Sequence, residues 1–154
     1  MMKYTLARVV REGPMAGIGG TTTATAAKLK LPHVLHEAGR TGLLEKEDVN
    51  RHVVAVRNVM KYLGMVEGKP VEPEKQIRMG SRSVAIRAEH GGFLETIAKP
   101  GLVTEGQLLG YLYNVFGEVV QEIKAPMKGV LLIVSVPAAK CVGDALYSIT
   151  EVVE

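Results

Sequence analysis

The four histidines of this chain and one of its glutamates, Glu37, are the residues whose types and positions could serve hydrolytic chemistry. The histidines are His33, His36, His52 and His90. A catalytic zinc site uses about three protein ligands. His36-Glu37 begins like the zinc motif His-Glu-x-x-His, but Arg40 stands where the second histidine would be. On a strand, a spacing of three places His33 and His36 on opposite faces. We therefore predict no complete metal site within this chain.

Glu37 is the best-placed candidate for acid–base chemistry. It ends the short run His33–Glu37, which lies between a proline and a glycine and predicts a buried strand. Open α/β sheets bind ligands at the carboxyl ends of their strands. A carboxylate there, partly desolvated by apolar neighbours, is suited to act as a general base. The alternative is a structural glutamate paired with Arg40 or Lys46, and the residues by themselves favour that alternative.

The elements that would position Glu37 are mostly helices. Tyr4–Glu12 is predicted as a short helix, and Thr21–Thr23 offer N-caps for another that continues to Leu31. The clearest helix ends near Gly64 and carries an apolar stripe, formed by Val49, Val53, Val56, Met60 and Leu63. One strand and two or three helices make too little sheet for a stable α/β layer. Either the strand pairs with another chain, or part of the natural protein is missing.

A segment rich in glycine, proline and charge, between Gly64 and Glu74, predicts a boundary between residues 1–68 and 69–154. The second part repeats itself at a spacing of 37 residues. The matching pairs are Gly92 and Gly129, Leu94 and Leu131, Pro100 and Pro137, Gly106 and Gly143, Leu109 and Leu146, and Leu112 and Ile149. Glycine and proline at fixed offsets mark backbone requirements. We predict two similar halves that close into a small β-barrel or sandwich.

Composition narrows the class of protein. The chain has 154 residues, of which 47% are hydrophobic and 23% charged, so it is globular rather than disordered. A net charge of +3 without a basic block argues against a nucleic-acid surface, and the apolar runs are too short to span a membrane. The single cysteine, Cys141, allows no internal disulfide, which fits a reducing cytoplasm. We predict that Cys141 is a small core residue.

The second part also resembles the biotinyl and lipoyl carrier domains. The segment Ala125–Gly129 is similar to their strand–turn segments, and they too close two similar halves around a hairpin. Their modified lysine stands at the tip of that hairpin. Here the tip is residues 113–118, which contain no lysine, and Lys128 lies elsewhere. The resemblance implies the carrier fold without the carrier function.

Taken together, four stretches in order resemble the C-terminal portion of the succinylglutamate desuccinylase/aspartoacylase family. They are LPHVLHEAGRTG, VNRHVVAVRNVMKYLGM, GGFLETIAKPGLVTEGQLLGYLYNVFGEVV and EIKAPMKGVLLIVSVPAAKCVGDALYSI. The resemblance implies an α+β chain: an incomplete, zinc-carboxypeptidase-like α/β part followed by a small all-β domain. It also implies an enzyme that uses one zinc ion to hydrolyse the amide bond of N-acyl amino acids. Glu37 matches the glutamate of the family's Glu-x-Gly segment, which takes a proton from the attacking water.

The departures from the family matter equally. Its zinc ligands, a His-x-x-Glu pair and a later histidine, lie upstream of the matching region, and no His-x-x-Glu occurs here. We therefore expect a C-terminal piece that is inactive alone and needs a metal-binding half, so whether it is an enzyme by itself stays open. Arg40 and Arg57 are candidates for a substrate carboxylate by charge alone. The alternative is a non-catalytic binding or assembly module that associates with itself or with a second subunit.

Overall fold

The computed structural model describes residues 1–11, 20–39, 42–136 and 138–153. They form two compact units, Met1–Arg78 and Met79–Glu154. The first unit contains a 3₁₀ helix (Met2–Thr5), strand β1 (Val9–Arg11) and helices α1 (Thr22–Lys28) and α2 (Lys46–Tyr62). Strand β2 (Ile77–Arg87) begins at its end. No helix in the described ranges is long and apolar enough to cross a membrane.

Helix α2 forms where the sequence predicts it, because its ends carry the right groups. Glu47 and Asp48 occupy the first turn, where the helix dipole favours negative charge. At the other end Gly64 has φ +71°, a conformation that favours glycine. The amide of Gly64 donates to the carbonyl of Lys61 at 3.1 Å, and the amide of Met65 donates to the carbonyl of Met60 at 2.9 Å. These bonds satisfy two of the last carbonyls of the helix.

The face of α2 that packs is not the predicted apolar stripe. Ala55 and Asn58 are its buried residues. The Asn58 side chain donates to the carbonyls of Tyr4 at 2.7 Å and Val71 at 2.8 Å, and accepts from the amide of Val71 at 2.7 Å. Tyr62 stacks on Tyr4 with ring centroids 4.2 Å apart. The stripe itself faces outward: Val49, Val53 and Val56 are 45%, 58% and 60% exposed.

Two elements of the first unit differ from prediction. The predicted strand His33–Glu37 is wrong, because residues 31–38 form an irregular segment. A strand needs a neighbouring strand for its backbone hydrogen bonds, and no described strand lies beside this segment. The helix predicted at Tyr4–Glu12 is also wrong. The chain turns at Leu6, with φ 59°, and the carbonyl of Arg8 then accepts from the amide of Ile77 at 2.9 Å. Helix α1 is confirmed, and the Thr21 hydroxyl caps it by accepting from the amide of Ala24 at 3.1 Å.

The second unit is a two-layer β structure, as predicted for a small barrel or sandwich. Its further strands are β3 (Gly92–Thr96), β4 (Gly101–Val103), β5 (Leu108–Tyr113), β6 (Val119–Lys124), β7 (Gly129–Val134), β8 (Ala139–Lys140) and β9 (Ala145–Val153). One sheet has the order β2-β9-β7-β4 and the other β6-β5-β3-β8. Residues of both sheets meet in one core, which includes Leu94, Leu109, Leu112, Leu131, Leu146, Tyr147 and Ile149. Apolar burial between the sheets therefore holds this unit together.

Strand pairing in the second unit recurs at the spacing of 37 residues. Leu94 pairs with Leu112 in one sheet, and Leu131 pairs with Ile149 in the other. The amide of Gly106 donates to the carbonyl of Ala125 at 2.8 Å, and that of Gly143 donates to the carbonyl of Ala88 at 2.8 Å. Pro137 lies outside the described residues. The internal two-fold repeat stays a prediction.

Cys141 lies in the turn between β8 and β9 and is exposed, so its predicted burial is wrong. Its amide donates to the Asp144 carboxylate at 2.8 Å. Thr104, 37 residues earlier in the chain, likewise donates its amide to the side chain of Gln107, at 3.1 Å. Both residues lie in solvent-facing turns, although cysteine is among the residue types most often buried.

Candidate functional site

Glu37 lies in the irregular segment 31–38, and its side chain is exposed. Within the described ranges it has no hydrogen bond or ion pair, so the alternative pairing with Lys46 does not occur. Arg40, its other predicted partner, lies outside the described residues. The expected desolvation of Glu37 is wrong for this unit, because Leu35 is 57% exposed and Pro32 is exposed too. Glu37 therefore presents a free carboxylate to solvent.

Gly39 holds the segment that carries Glu37 against α2. Its φ is +95°, in the region that favours glycine, and a Cβ at this position would lie 3.2 Å from the Asp48 carboxylate oxygen Oδ2. Any larger residue would combine backbone strain with a close contact to α2. The glycine of the Glu-x-Gly segment thus has a physical role: it lets the chain turn and touch the helix two residues after Glu37.

A pair of histidines makes the second contact between this segment and α2. The Nδ1 atoms of His36 and His52 lie 3.0 Å apart, and their rings meet edge to face with centroids 4.8 Å apart. One imidazole must donate and the other accept, because two N–H groups cannot share this distance. Burial and then the neighbouring His52 lower the pKa of His36 below 6.5, its ordinary value. His36 is therefore favoured in its neutral form.

This histidine pair was not predicted, since each histidine was expected to be separate. No local pattern signals it: His36 and His52 are 16 residues apart and belong to different elements. His33 is exposed, and its Nδ1 lies 3.2 Å from the carbonyl of Leu31. His90 is exposed in the second unit.

The residues present do not fit the zinc site that the family resemblance implies. Among the described residues, no group of three or more His, Cys, Asp and Glu side chains could hold a metal ion. Arg57, the second candidate for a substrate carboxylate, is exposed on α2. It follows His52 by five residues and so lies on a different side of the helix.

An open apolar pocket lies beside the start of α2. Its lining residues are Leu44, Lys46, Val49, Asn50 and Val53. Leu44 is 89% exposed, and the two valines that line the pocket with it, Val49 and Val53, are 45% and 58% exposed. Contiguous exposed apolar surface of this kind is typical of a contact surface.

Comparison with known proteins places this fold. No protein-family model matches the sequence. The N-alpha-acetyl-L-2,4-diaminobutyric acid deacetylase of Halomonas elongata is 33% identical over 127 residues, which are 79% of this chain and 37% of that protein. The product-bound ectoine utilization protein EutE (DoeB) of Ruegeria pomeroyi superposes with a TM-score of 0.84 at 20% identity, over 97% of this chain and 47% of that one.

Two further solved structures carry the family in their names. The succinylglutamate desuccinylase/aspartoacylase of Rhodobacter sphaeroides matches with a TM-score of 0.79 at 20% identity, over 99% of this chain and 48% of that one. A succinylglutamate desuccinylase of Silicibacter sp. TM1040 matches with a TM-score of 0.81 at 22% identity, over 98% of this chain and 47% of that one. In fold, the chain is similar to these solved members of the succinylglutamate desuccinylase/aspartoacylase family. The resemblance read from the four sequence stretches is confirmed.

The match is far more complete for this chain than for its relatives. The solved structures match 97–99% of this chain and the Halomonas elongata deacetylase matches 79% of it, but the chain spans less than half the length of each relative above. The relative from Halomonas elongata is a deacetylase of an N-acetylated amino acid by name. More than half of the sequence of each relative lies outside the region that aligns with this chain.

Proposed function

We propose that this chain supplies the catalytic glutamate, Glu37, and the β unit of an amide hydrolase that acts on N-acyl amino acids. On this proposal it corresponds to the C-terminal portion of the family, and it does not hydrolyse substrate alone. The observation that supports it best is the free, exposed carboxylate of Glu37, held two residues from the Gly39 contact with α2. Its carboxylate is unpaired among the described residues, as a general base must be to accept a proton, and the backbone is held by the glycine two residues away.

In the complete enzyme Glu37 would accept a proton from the attacking water and return it to the leaving nitrogen of the amide. The first transfer requires the attacking water, and the second the leaving nitrogen, to lie within hydrogen-bond reach of the Glu37 carboxylate. The chemistry of the relative from Halomonas elongata suggests an N-acetylated amino acid as the substrate class. Arg40 and Arg57 stay weak candidates for binding the substrate carboxylate.

The residues that would complete the site come from another polypeptide segment on this proposal. Zinc is the cofactor that the family implies, and its ligands would belong to that segment, because the described residues offer no three-ligand group. The exposed stripe of Val49, Val53 and Val56 is the surface of α2 that such a segment would cover. Covering it would also remove water from the surroundings of Glu37, which strengthens electrostatic interactions there.

The division into an α/β edge (1–68) and a β domain (69–154) and the cytoplasmic location are parts of the same proposal. So is the internal two-fold repeat of the β domain. Two equivalent strand pairings support the repeat. In one sheet Val103 pairs with Gly129, and in the other Lys140, 37 residues after Val103, pairs with Gly92, 37 residues before Gly129. The β domain then acts as a rigid body whose hairpin tip, Asn114–Glu118, is available to border a substrate entrance.

The experiment is a chimera, in which this chain replaces the matching segment of the Halomonas elongata deacetylase. Release of acetate from Nα-acetyl-L-2,4-diaminobutyrate is measured for the chimera, for its Glu37→Gln and Glu74→Gln variants, and for this chain alone. We expect turnover from the chimera, a loss of about 10²-fold or more in kcat from Glu37→Gln, and no effect from Glu74→Gln, an exposed control. Turnover by the chain alone, or full activity of the Glu37→Gln chimera, would refute the proposal.

The second candidate is a non-catalytic assembly module, and the outward-facing stripe of α2 favours it. Two copies of the chain would then bury Val49, Val53 and Val56 against each other. Light scattering after size-exclusion chromatography should give a dimer mass for the chain and a monomer mass for Val53→Asp. A monomer at high micromolar concentration in both cases excludes this second function and leaves the first intact.

A further inference from the structure

The segment 31–38 contacts α2 through two imidazoles whose separation is that of a hydrogen bond and also that of two ligands of one metal ion. His36 and His52 point the same ring nitrogen, Nδ1, at each other across 3.0 Å. Both rings are half-buried, so they are held by neighbours yet reachable from solvent. Neutral imidazole is the commonest protein ligand of transition metals, and two imidazole nitrogens this close can bind the same ion.

The distance between the two nitrogens fits adjacent coordination positions of one metal ion. With metal–nitrogen bonds of about 2.0–2.1 Å, nitrogens 3.0 Å apart subtend an angle of about 94° at the metal. That angle suits adjacent positions of a square-planar or octahedral ion, whereas tetrahedral Zn²⁺ requires about 109° and nitrogens about 0.3 Å further apart. Cu²⁺ and Ni²⁺ are the first-row ions that favour tetragonal coordination by nitrogen.

We propose that His36 and His52 form a two-histidine chelate for a divalent transition-metal ion of tetragonal preference, Cu²⁺ or Ni²⁺. Water completes the coordination, since the described residues place no third His, Cys, Asp or Glu in the group. Glu37, which adjoins His36, is the nearby carboxylate that favours a cation, because Asp48, one turn before His52 on α2, already pairs with Arg51 at 3.2 Å. The ion replaces the proton shared between the rings and joins the segment carrying Glu37 to the helix. This site uses none of the residues expected to bind catalytic zinc.

The test uses the full 154-residue chain without a histidine tag. Electron paramagnetic resonance of the chain with one equivalent of Cu²⁺ should show coupling to two nitrogens. Calorimetric titration should give Ni²⁺ binding at least as tight as Zn²⁺ binding. His36→Ala and His52→Ala each remove one ligand and should weaken Cu²⁺ and Ni²⁺ binding by about 10-fold or more. Loss of a residue that only hydrogen-bonds to a metal ligand already weakens binding by about 10- to 100-fold. His33→Ala and His90→Ala are the matched controls and should leave binding unchanged.

A second measurement keeps the proposal testable if a variant unfolds. In the unsubstituted chain, substoichiometric Cu²⁺ should broaden the imidazole resonances of His36 and His52 before those of His33 and His90. Equal broadening of all four histidines, coupling to a single nitrogen, or Zn²⁺ binding tenfold tighter than Ni²⁺ would overturn the proposal. These readouts concern metal binding alone, so their failure would leave the role proposed for Glu37 untouched.

Discussion

Asn58 joins α2 to two other segments of the first unit, and its replacement by alanine gives a sharp test of the fold. Its amide makes three hydrogen bonds, to the backbone of Tyr4 and Val71, and Asn58 itself is buried. A hydrogen bond contributes about 0.5–1.5 kcal/mol net, and a buried group left unpaired costs about 1–3 kcal/mol. Alanine recovers about 0.5 kcal/mol through its higher helix propensity. We expect Asn58→Ala to lower the free energy of unfolding by about 2–4 kcal/mol.

The matched control lies on the same helix. Asn50 is exposed on α2, so Asn50→Ala changes helix propensity by the same amount and breaks none of these bonds. Urea unfolding followed by far-UV circular dichroism reports on the first unit, because both described α-helices lie in it. Asn58→Ala should lower the midpoint strongly, and Asn50→Ala should leave it unchanged or raise it slightly. If the two variants differ by less than about 0.5 kcal/mol, Asn58 does not tie α2 to its neighbours as described.

Three other predictions concern pH and close packing. The pKa of His36 is lowered in the folded state, so the unfolded state binds this proton more readily and the first unit should lose stability as pH drops below about 6.5. In unfolding followed by circular dichroism, His36→Gln should reduce this dependence of stability on pH. Burial raises the pKa of Tyr147, so the second unit should lose stability as pH rises above about 10, and less so in Tyr147→Phe, by amide hydrogen exchange of β9. Gly110→Ala would place a Cβ against the carbonyl oxygen of Glu95 and 2.5 Å from the Tyr147 hydroxyl, so it should lower the free energy of unfolding by about 3 kcal/mol, measured by amide hydrogen exchange of β5. The control is Gly117→Ala, whose Cβ meets open space and which should lower that free energy by about 1 kcal/mol.

Local sequence features predicted the elements whose signals are local. Helix α2 follows from its charged first turn and from Gly64, and α1 from Thr21, because caps and dipoles act within a few residues. The β unit follows from glycines at fixed offsets, which mark turns that any closed sheet of this kind requires. The direction in which α2 packs does not follow. Its buried face is chosen by Asn58, whose partners lie 13 and 54 residues away.

The candidate site was predictable in one part and not in the other. Glu37 and Gly39 were found through a short family segment, and the structure adds the reason for the glycine, its contact with Asp48. The histidine pair was not found, because His36 and His52 come together only through tertiary packing. The strand predicted at His33–Glu37 failed for a similar reason. Apolar residues between breakers indicate a segment that can be a strand, but a neighbouring strand must supply its hydrogen bonds.

The partner segment proposed above would account for three features of the first unit that its own residues leave unexplained. Glu37 is exposed, although a general base is effective when water is largely excluded. Residues 31–38 are irregular, although their pattern is that of a strand. The stripe of Val49, Val53 and Val56 faces solvent, although burial of each valine would stabilise the unit by about 1.5 kcal/mol or more. A sheet laid against α2 and beside residues 31–38 would cover the valines, pair the segment and shield Glu37 at once. The three features therefore argue jointly for the same partner surface, and a partner that satisfied only one of them would not complete the site.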